Sequence, residues 1–213
     1  MIGRIAWLGD LLALAVVVLD QITDPHWYTA LEVQMAEAGA QITQNRRAAL
    51  ARIDRATAGE TGFPRATLAL AESDDTDLLT ALAEGRRRDL AAGRTLAGPH
   101  RTDLAAVYTA KGVPADQCST GEQKALLISL ILANARALAE DIGHAPVLLL
   151  DEVAAHLDED RRAALYDEIV SLGAQALMTG TEAELFRGLR GKGRLIKISD
   201  IGGQSHLSSQ EDL

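Results

Sequence analysis

The string VLLLDE, residues 147–152, indicates the architecture of this chain most directly. Its four consecutive apolar residues predict a buried strand, and two carboxylates, Asp151 and Glu152, follow where that strand ends. An all-apolar strand is typical of a parallel sheet whose two faces are both covered. The two acids would then emerge at the carboxyl edge of the sheet, where open α/β sheets bind their ligands.

Two neighbouring carboxylates at such an edge can hold a metal ion and a water molecule. One of them can bind Mg²⁺, a hard cation that prefers oxygen ligands and keeps several waters. The other can orient or deprotonate a water. The competing interpretation is an acidic loop after a strand, which needs no ligand.

Helices and strands alternate on both sides of this strand. We predict helices over residues 119–142, 158–172 and 182–189, and further strands over residues 176–178 and 195–198. This alternation indicates an α/β protein with a parallel sheet and crossover helices. Residues 202–213 are polar, and we predict that they form a flexible tail.

The string CSTGEQK, residues 118–124, begins the longest of these helices. Ser119 and Glu122 have the spacing of a capping box, which would explain both residues without a ligand. A helix N-terminus that includes Gly121 also leaves backbone N–H groups available to a phosphate. Cys118 is the single cysteine, and we interpret it as a packing residue rather than a nucleophile.

The first half of the chain is predicted to be mainly helical. Asp24 and Pro25 are a helix-start signal, and the apolar spacing that follows predicts one long amphipathic helix ending near Gly59. A second, weaker helical pattern covers residues 67–82 and is split by Ser73, Asp74 and Asp75. Short strands are expected around the turn that begins at Gly98.

Charge and composition limit the function classes. The 213 residues contain 21 Lys and Arg against 30 Asp and Glu, a net charge of -9, which argues against nucleic-acid affinity over the whole surface. The densest basic run is Arg86, Arg87 and Arg88, either a solvated helix face or a contact for DNA phosphates. A single cysteine excludes a disulfide framework.

Residues 11–19, LLALAVVVL, form an apolar run near the start of the chain. The run resembles the apolar region of a signal peptide, but no small-residue cleavage site follows it. It is also shorter than the roughly 20 residues that span a bilayer. We favour a buried strand or helix, with a membrane or export segment as the alternative.

Taken together, the motifs resemble the RecF family, the recombination-mediator branch of the ABC-type ATPases that is related to the SMC proteins. The matching strings are GPHRTDL (98–104), STGEQK (119–124), LLLDE (148–152) and HLD (156–158). The resemblance implies an α/β fold in which part of an ABC/SMC-type ATPase lobe, a parallel sheet with flanking helices, carries a helical arm-like insertion. The implied organisation is an unassigned apolar N-terminus (1–20), a helical arm-like region (21–92), the C-terminal part of the ATPase lobe (93–201) and a flexible tail (202–213).

The resemblance implies a role for each matching residue. Asp151 would hold Mg²⁺ through water, and Glu152 would polarise the attacking water. Ser119 and Gly121 would contact the γ-phosphate of an ATP molecule that a second subunit holds. Asp158, in the string HLD (156–158) that resembles the family's D-loop, would lie at the interface between the two subunits.

The resemblance also implies cofactors and partners. Members of the family bind ATP with Mg²⁺, form ATP-dependent homodimers and bind DNA at gaps and single-strand/double-strand junctions. They act with other recombination-mediator proteins in single-strand gap repair and the SOS response, and they are cytoplasmic.

The sequence departs from the family pattern in two places. No P-loop, Gly-x-x-x-x-Gly-Lys followed by Ser or Thr, occurs in the 213 residues. The nearest string, GLRGKG at residues 188–193, has another spacing and no hydroxyl after its lysine. We therefore expect a C-terminal portion of a RecF-like ATPase that does not hydrolyse ATP alone.

The second departure is at Thr179, which stands where many ABC ATPases carry a switch histidine.

Two other functions remain open from the residues alone. The chain could bind DNA or a repair partner without nucleotide, using the basic run at Arg86. It could also be a membrane-tethered helical protein that uses residues 11–19.

Overall fold

The computed structural model describes residues 25–57, 62–71 and 77–213, so the apolar run 11–19 lies outside the described residues. In these ranges there are four α-helices and seven strands. The helices are α1 (Pro25–Ala56), α2 (Leu78–Ala92), α3 (Thr120–Ile142) and α4 (Glu159–Leu172). The strands are β1 (Ala66–Ala71), β2 (Asp103–Tyr108), β3 (Val113–Pro114), β4 (Leu148–Leu150), β5 (Ala176–Met178), β6 (Arg194–Ile201) and β7 (Gln204–Asp212). They form three sheets with the strand orders β1-β2-β3, β4-β5 and β6-β7.

The chain divides into two compact units. The first contains the described residues up to Leu50 together with those from Ala69 to Ala105. The second contains Ala51–Leu68 and Ala106–Leu213. The domain boundaries expected from the sequence, near residues 20, 92 and 201, stay predictions. Within the described residues no helix is both long enough and apolar enough to cross a membrane.

Helix α1 begins at Pro25, as predicted, and runs unbroken through Gly39. Proline suits a first helical position because its missing N–H has no partner there in any helix. A Cβ atom on Gly39 would lie 2.5 Å from Cδ2 of Leu78, so this glycine lets the start of α2 approach α1 closely. Helix α2 starts at an N-cap, Asp77, whose carboxylate accepts a hydrogen bond from Thr80 N at 3.2 Å.

The helix predicted over residues 67–82 is wrong for residues 67–71 and correct for residues 78–82. Residues Ala66–Ala71 form strand β1, and α2 begins only at Leu78. Alanine and leucine favour a helix when neighbours are ignored. Here more buried and more exposed residues alternate along β1. The strand is hydrogen-bonded to β2, a partner more than 30 positions away.

The core of the second unit lies between α3, α4 and the β4-β5 sheet. Leu132 on α3 and Leu165 on α4 are its fully buried large side chains, and each contributes about 1.5–3 kcal/mol by leaving water. The predicted helices 119–142 and 158–172 are confirmed, and Gly173 closes α4 with a left-handed φ of 62°. The predicted helix 182–189 is a 3₁₀ segment, Ala183–Leu189.

Strands β4 and β5 pair in parallel, as predicted, with Leu148 opposite Ala176 and Leu150 opposite Met178. The prediction that both faces of β4 are buried is wrong. Leu148 and Leu150 are buried, but Leu149 is 75% exposed. Alternate residues of a strand point to opposite faces, and the core of the second unit covers only the face of Leu148 and Leu150.

The flexible tail predicted over residues 202–213 is also wrong. Gln204–Asp212 forms strand β7, antiparallel to β6, which extends beyond the predicted 195–198. Gly202 and Gly203 connect the strands with φ values of 65° and 81°, the two-residue turn that favours tight hairpins. Polar composition alone suggested fraying, whereas backbone pairing along the whole hairpin orders the segment.

Neighbouring leucines in β4 provide a test of this one-sided packing. Leu150→Ala should lower the free energy of unfolding by about 2–4 kcal/mol, because it opens a cavity in the core. Leu149→Ala should change it by less than about 0.5 kcal/mol, because that side chain is already in water. Urea unfolding followed by circular dichroism measures both. Equal losses for the two variants would contradict the burial described for β4.

Candidate functional site

The strand ends of β4 and β5 bring Asp151, Glu152 and Thr179 together. Asp151 follows β4 and Thr179 follows β5, and the parallel register continues past the strands, since Thr179 N donates to Leu150 O at 3.1 Å. The hydroxyl of Thr179 accepts a hydrogen bond from Glu152 N at 3.0 Å and donates one to Oδ1 of Asp151. The predicted acidic edge of the sheet therefore exists, and Thr179 belongs to it.

Glu152 has a φ of 55°, the only left-handed non-glycine among the described residues. This region is uncommon for a residue with a Cβ and is found mostly at tight turns and functional sites. Asp151 is exposed and Glu152 half-buried. The chain thus turns sharply at the two carboxylates while leaving both accessible to a ligand.

Asp151 fits a magnesium ion in chemical type. Its oxygens are hard donors, and Thr179 engages one of them, which leaves the other to bind a cation directly or through water. The described residues contain no group of three or more His, Cys, Asp or Glu side chains that could enclose a metal. A magnesium ion here would need waters or phosphate oxygens to complete its shell.

The capping box predicted at the start of α3 is confirmed. Ser119 is the N-cap, and its hydroxyl accepts from Glu122 N at 3.4 Å while Oε2 of Glu122 accepts from Ser119 N at 2.9 Å. The Ser119 hydroxyl lies 2.9 Å from the same Oε2. Gly121 is exposed, and a Cβ atom there would meet nothing within 4 Å. The first turn of α3 therefore lies open to solvent.

A lysine that the sequence did not single out lies at this helix start. Lys111, in the turn between β2 and β3, forms an ion pair with Glu122. This lysine, with further hydrogen bonds from the backbone and hydroxyl of Ser119, lowers the pKa of the Glu122 carboxyl from 4.5 to about 2. The same contact raises the pKa of Lys111. Spacing alone could not reveal this pair, because it depends on how the β2-β3 turn packs.

Asp158, in the D-loop-like string, is the N-cap of α4. Its carboxylate accepts a hydrogen bond from Arg161 N at 2.8 Å and lies 3.6 Å from the Arg161 guanidinium. Arg162 donates to the carbonyls of Ala154 and Leu157, at 3.4 Å each, and so ties the loop before α4 to the helix. Asp158 is exposed at the surface of the second unit.

The basic run on α2, in the first unit, does not act as a single patch. Arg86 donates two hydrogen bonds of 2.7 Å to the carboxylate of Glu32, which is 7% exposed, and its guanidinium lies 5.2 Å from the centre of the Tyr28 ring. The hydrogen-bonded partner raises the pKa of Arg86. Arg87 and Arg88 are exposed, so of this run these two remain candidates for a DNA contact.

The parallel strands, the acidic pair at their carboxyl ends and the long capped helix form a partial α/β lobe, and solved structures share this fold. The structure of the recombination mediator protein RecF-ATP in the RecFOR pathway matches with a TM-score of 0.66, 21% identity, and coverage of 86% of this chain and 53% of that one. The structure of RecF-ATPrS in the same pathway matches with a TM-score of 0.65, 18% identity, and coverage of 96% and 57%.

The chain belongs to the RecF family. It is 46% identical over 191 residues to the DNA replication and repair protein RecF of Rhizobium etli, which is 83% of this chain and 51% of that protein. It is 47% identical over 195 residues to RecF of Agrobacterium fabrum, with coverage of 84% and 51%. The chain thus spans about half the length of the curated relatives it matches. No protein-family profile matches the chain.

The titration of Glu122 tests the geometry at the start of α3. The Glu122 side-chain carboxyl carbon, followed by NMR, should titrate with a midpoint of about 2, and Lys111→Met should move the midpoint upward toward 4.5. Because the folded pKa is depressed, the stability that Glu122 contributes is complete above 4.5 and is lost as the pH falls toward 2.

Lys192→Met is the control, since Lys192 pairs with Asp167 on α4 and not with Glu122. It should leave the Glu122 midpoint unchanged. A Glu122 midpoint near 4.5 in the unaltered protein would show that the Lys111 pair does not form.

Proposed function

We propose that this chain is part of a RecF-like DNA replication and repair protein, a cytoplasmic recombination mediator that binds ATP, Mg²⁺ and DNA and acts with other mediator proteins. The proposal is carried by the Asp151–Glu152 pair at the carboxyl end of β4, in a chain that is 46% identical to RecF over 83% of its length. Single-strand gap repair and the SOS response are the processes in which this function would be used.

At the strand edge, the two carboxylates have different tasks. Asp151 would hold Mg²⁺ through water, since its carboxylate is exposed and Thr179 engages only one of its oxygens. Glu152 polarises the water that attacks the terminal phosphate. Bound ATP would supply the phosphoanhydride that is cleaved.

At the start of α3, Ser119 and Gly121 contact the γ-phosphate of an ATP that a second subunit holds. The first-turn N–H groups and the helix dipole favour an anion at this position. Lys111 supports the same interaction because it offsets the charge of Glu122, which would otherwise repel phosphate. Asp158 lies at the subunit interface in this ATP-dependent dimer.

The chain contributes these groups but no P-loop, the element that cradles the phosphates of a subunit's own ATP. These 213 residues by themselves are therefore not expected to turn over ATP. The signature residues, Ser119 and Gly121, are the groups that meet the second subunit's ATP, whereas Asp151 and Glu152 serve an ATP that a P-loop holds beside them.

A mixing experiment tests this role. The chain alone should hydrolyse ATP no faster than its Glu152→Gln variant, and clear Glu152-dependent turnover would overturn the claim of inactivity. Rhizobium etli RecF is then kept at a concentration too low for it to pair with itself. An excess of this chain, added to it, should raise the rate of ATP turnover severalfold. The increase is expected because the chain supplies the signature residues to the relative's ATP.

Ser119→Arg should abolish the increase, since a large side chain would occupy the phosphate position. Ser171→Arg, at an exposed position of α4, should not affect it. If the two variants stimulate equally, Ser119 has no role in the ATP site.

A second candidate function is DNA binding without nucleotide. It is favoured by the exposed pair Arg87 and Arg88 on α2. The replacement of both by Ala should weaken binding to gapped DNA and reduce the slope of log affinity against log salt by about 1–2, because phosphate contacts release counterions. Fluorescence anisotropy at several salt concentrations measures this, and ATP should make no difference.

Arg187→Ala, in the second unit, is the control for general charge and should leave the slope unchanged.

Arg86→Ala should instead lower the free energy of unfolding, by about 1–3 kcal/mol, because it leaves the buried Glu32 without its partner. An unchanged salt slope after loss of Arg87 and Arg88 would remove this surface from consideration. The membrane-tethered alternative depends on residues 11–19, which lie outside the described residues.

A further inference from the structure

We propose that Thr179 is the positioning residue of the acidic edge: its single hydroxyl group fixes Asp151 and Glu152 relative to each other. The role of the two carboxylates in ATP chemistry rests on the function proposed above. The positioning itself rests on contacts within this chain.

The register of the two strands delivers Thr179 to the carboxylates. Leu150 is opposite Met178, so the next residues along the two strands, Asp151 and Thr179, are neighbours at the sheet edge. Thr179 N donates to Leu150 O at 3.1 Å, which holds the threonine in line although β5 has ended. A shift of one residue in this pairing would place a hydrophobic methionine or a glycine beside Asp151.

The hydrogen bonds of the Thr179 hydroxyl have a fixed direction. A backbone N–H can only donate, so the oxygen of Thr179 accepts from Glu152 N, at 3.0 Å. An ionised carboxylate can only accept, so the hydroxyl proton goes to Oδ1 of Asp151. One side chain therefore holds the backbone of one acid and the carboxylate of the other.

The backbone at Glu152 shows why such a tie is needed. Its φ of 55° is a conformation that residues with a Cβ rarely adopt and that persists only where neighbouring groups hold it. The hydrogen bond from Glu152 N to Thr179 connects this turn to β5, an element 24 or more residues further along the chain. The Thr179 hydroxyl thus already bonds to Glu152 N and to the Asp151 carboxylate, whereas a switch histidine at this position would contact the nucleotide.

Two substitutions separate the hydroxyl from the shape of the side chain. Thr179→Val keeps the shape and removes the hydroxyl, and Thr179→Ser keeps the hydroxyl. Thr109→Val is a matched control, because Thr109 is also an exposed threonine just after a strand and its hydroxyl lies 3.2 Å from that of Thr67.

The measurements are NMR observations on the full chain at neutral pH, without nucleotide. In Thr179→Val the amide proton of Glu152 should exchange with solvent at least about tenfold faster, since its acceptor is gone. The side-chain carboxyl carbon of Asp151 should shift in the same variant. Thr179→Ser should restore both signals, and Thr109→Val should move neither.

Several results would overturn the proposal. One is a Glu152 amide and an Asp151 carboxyl carbon that are unchanged in Thr179→Val. Another is a failure of Thr179→Ser to restore them. A third is a change spread through β4 and β5 with a lower urea midpoint, which would assign Thr179 to strand packing. Should Thr179→Val not fold, detection in the unaltered protein of a slowly exchanging Thr179 hydroxyl proton close to the Glu152 amide proton decides the matter.

These readouts involve no ATP and no second subunit. A negative result in the mixing experiment would therefore leave the Thr179 contacts intact, and a negative NMR result would leave the signature role of Ser119 intact. The two proposals fail separately.

Discussion

The parallel pairing of β4 with β5 places the residues of the candidate site. Three residue pairs, from Leu148–Ala176 to Leu150–Met178, align the two strands so that their carboxyl ends lie side by side. Helices α3 and α4 pack their apolar residues against one face of this small sheet, and Leu165 of α4 is fully buried there. The core fixes this register, because a slip of one residue would turn Leu148 and Leu150 outward. The register in turn fixes the positions of Asp151 and Glu152.

The other half of the site is organised by local contacts instead. The start of α3 satisfies its own first N–H groups through Ser119 and Glu122, and Lys111 balances the charge of that glutamate. Such a helix needs no ligand to form. A phosphate that binds there does not have to order the helix, but it must compete with Glu122 for the hydroxyl and the N–H of Ser119.

Much of the second unit could be predicted from the sequence, because its signals are local. The Ser119 cap, the glycine after Leu172 and the apolar run before Asp151 each act within a few residues. The errors arose where partners are distant. Ala66–Ala71 is a strand because it pairs with β2, and β7 is ordered because it pairs with β6. Arg86 was expected at a solvated face or on DNA, but Glu32, 54 positions away, holds it. Thr179 was recognised by position, whereas its partners became visible only in the folded chain.

Cys118 gives the start of α3 a practical property. It is the single cysteine of the chain, it is half-buried, and it immediately precedes Ser119. Its thiol lies 3.5 Å from the carbonyl of Pro114, within the turn that leads into the helix. A thiol-reactive fluorophore would therefore attach at one place, next to the residues proposed to meet phosphate, without any mutation. The molecule carries its own attachment point for an optical probe of the start of α3.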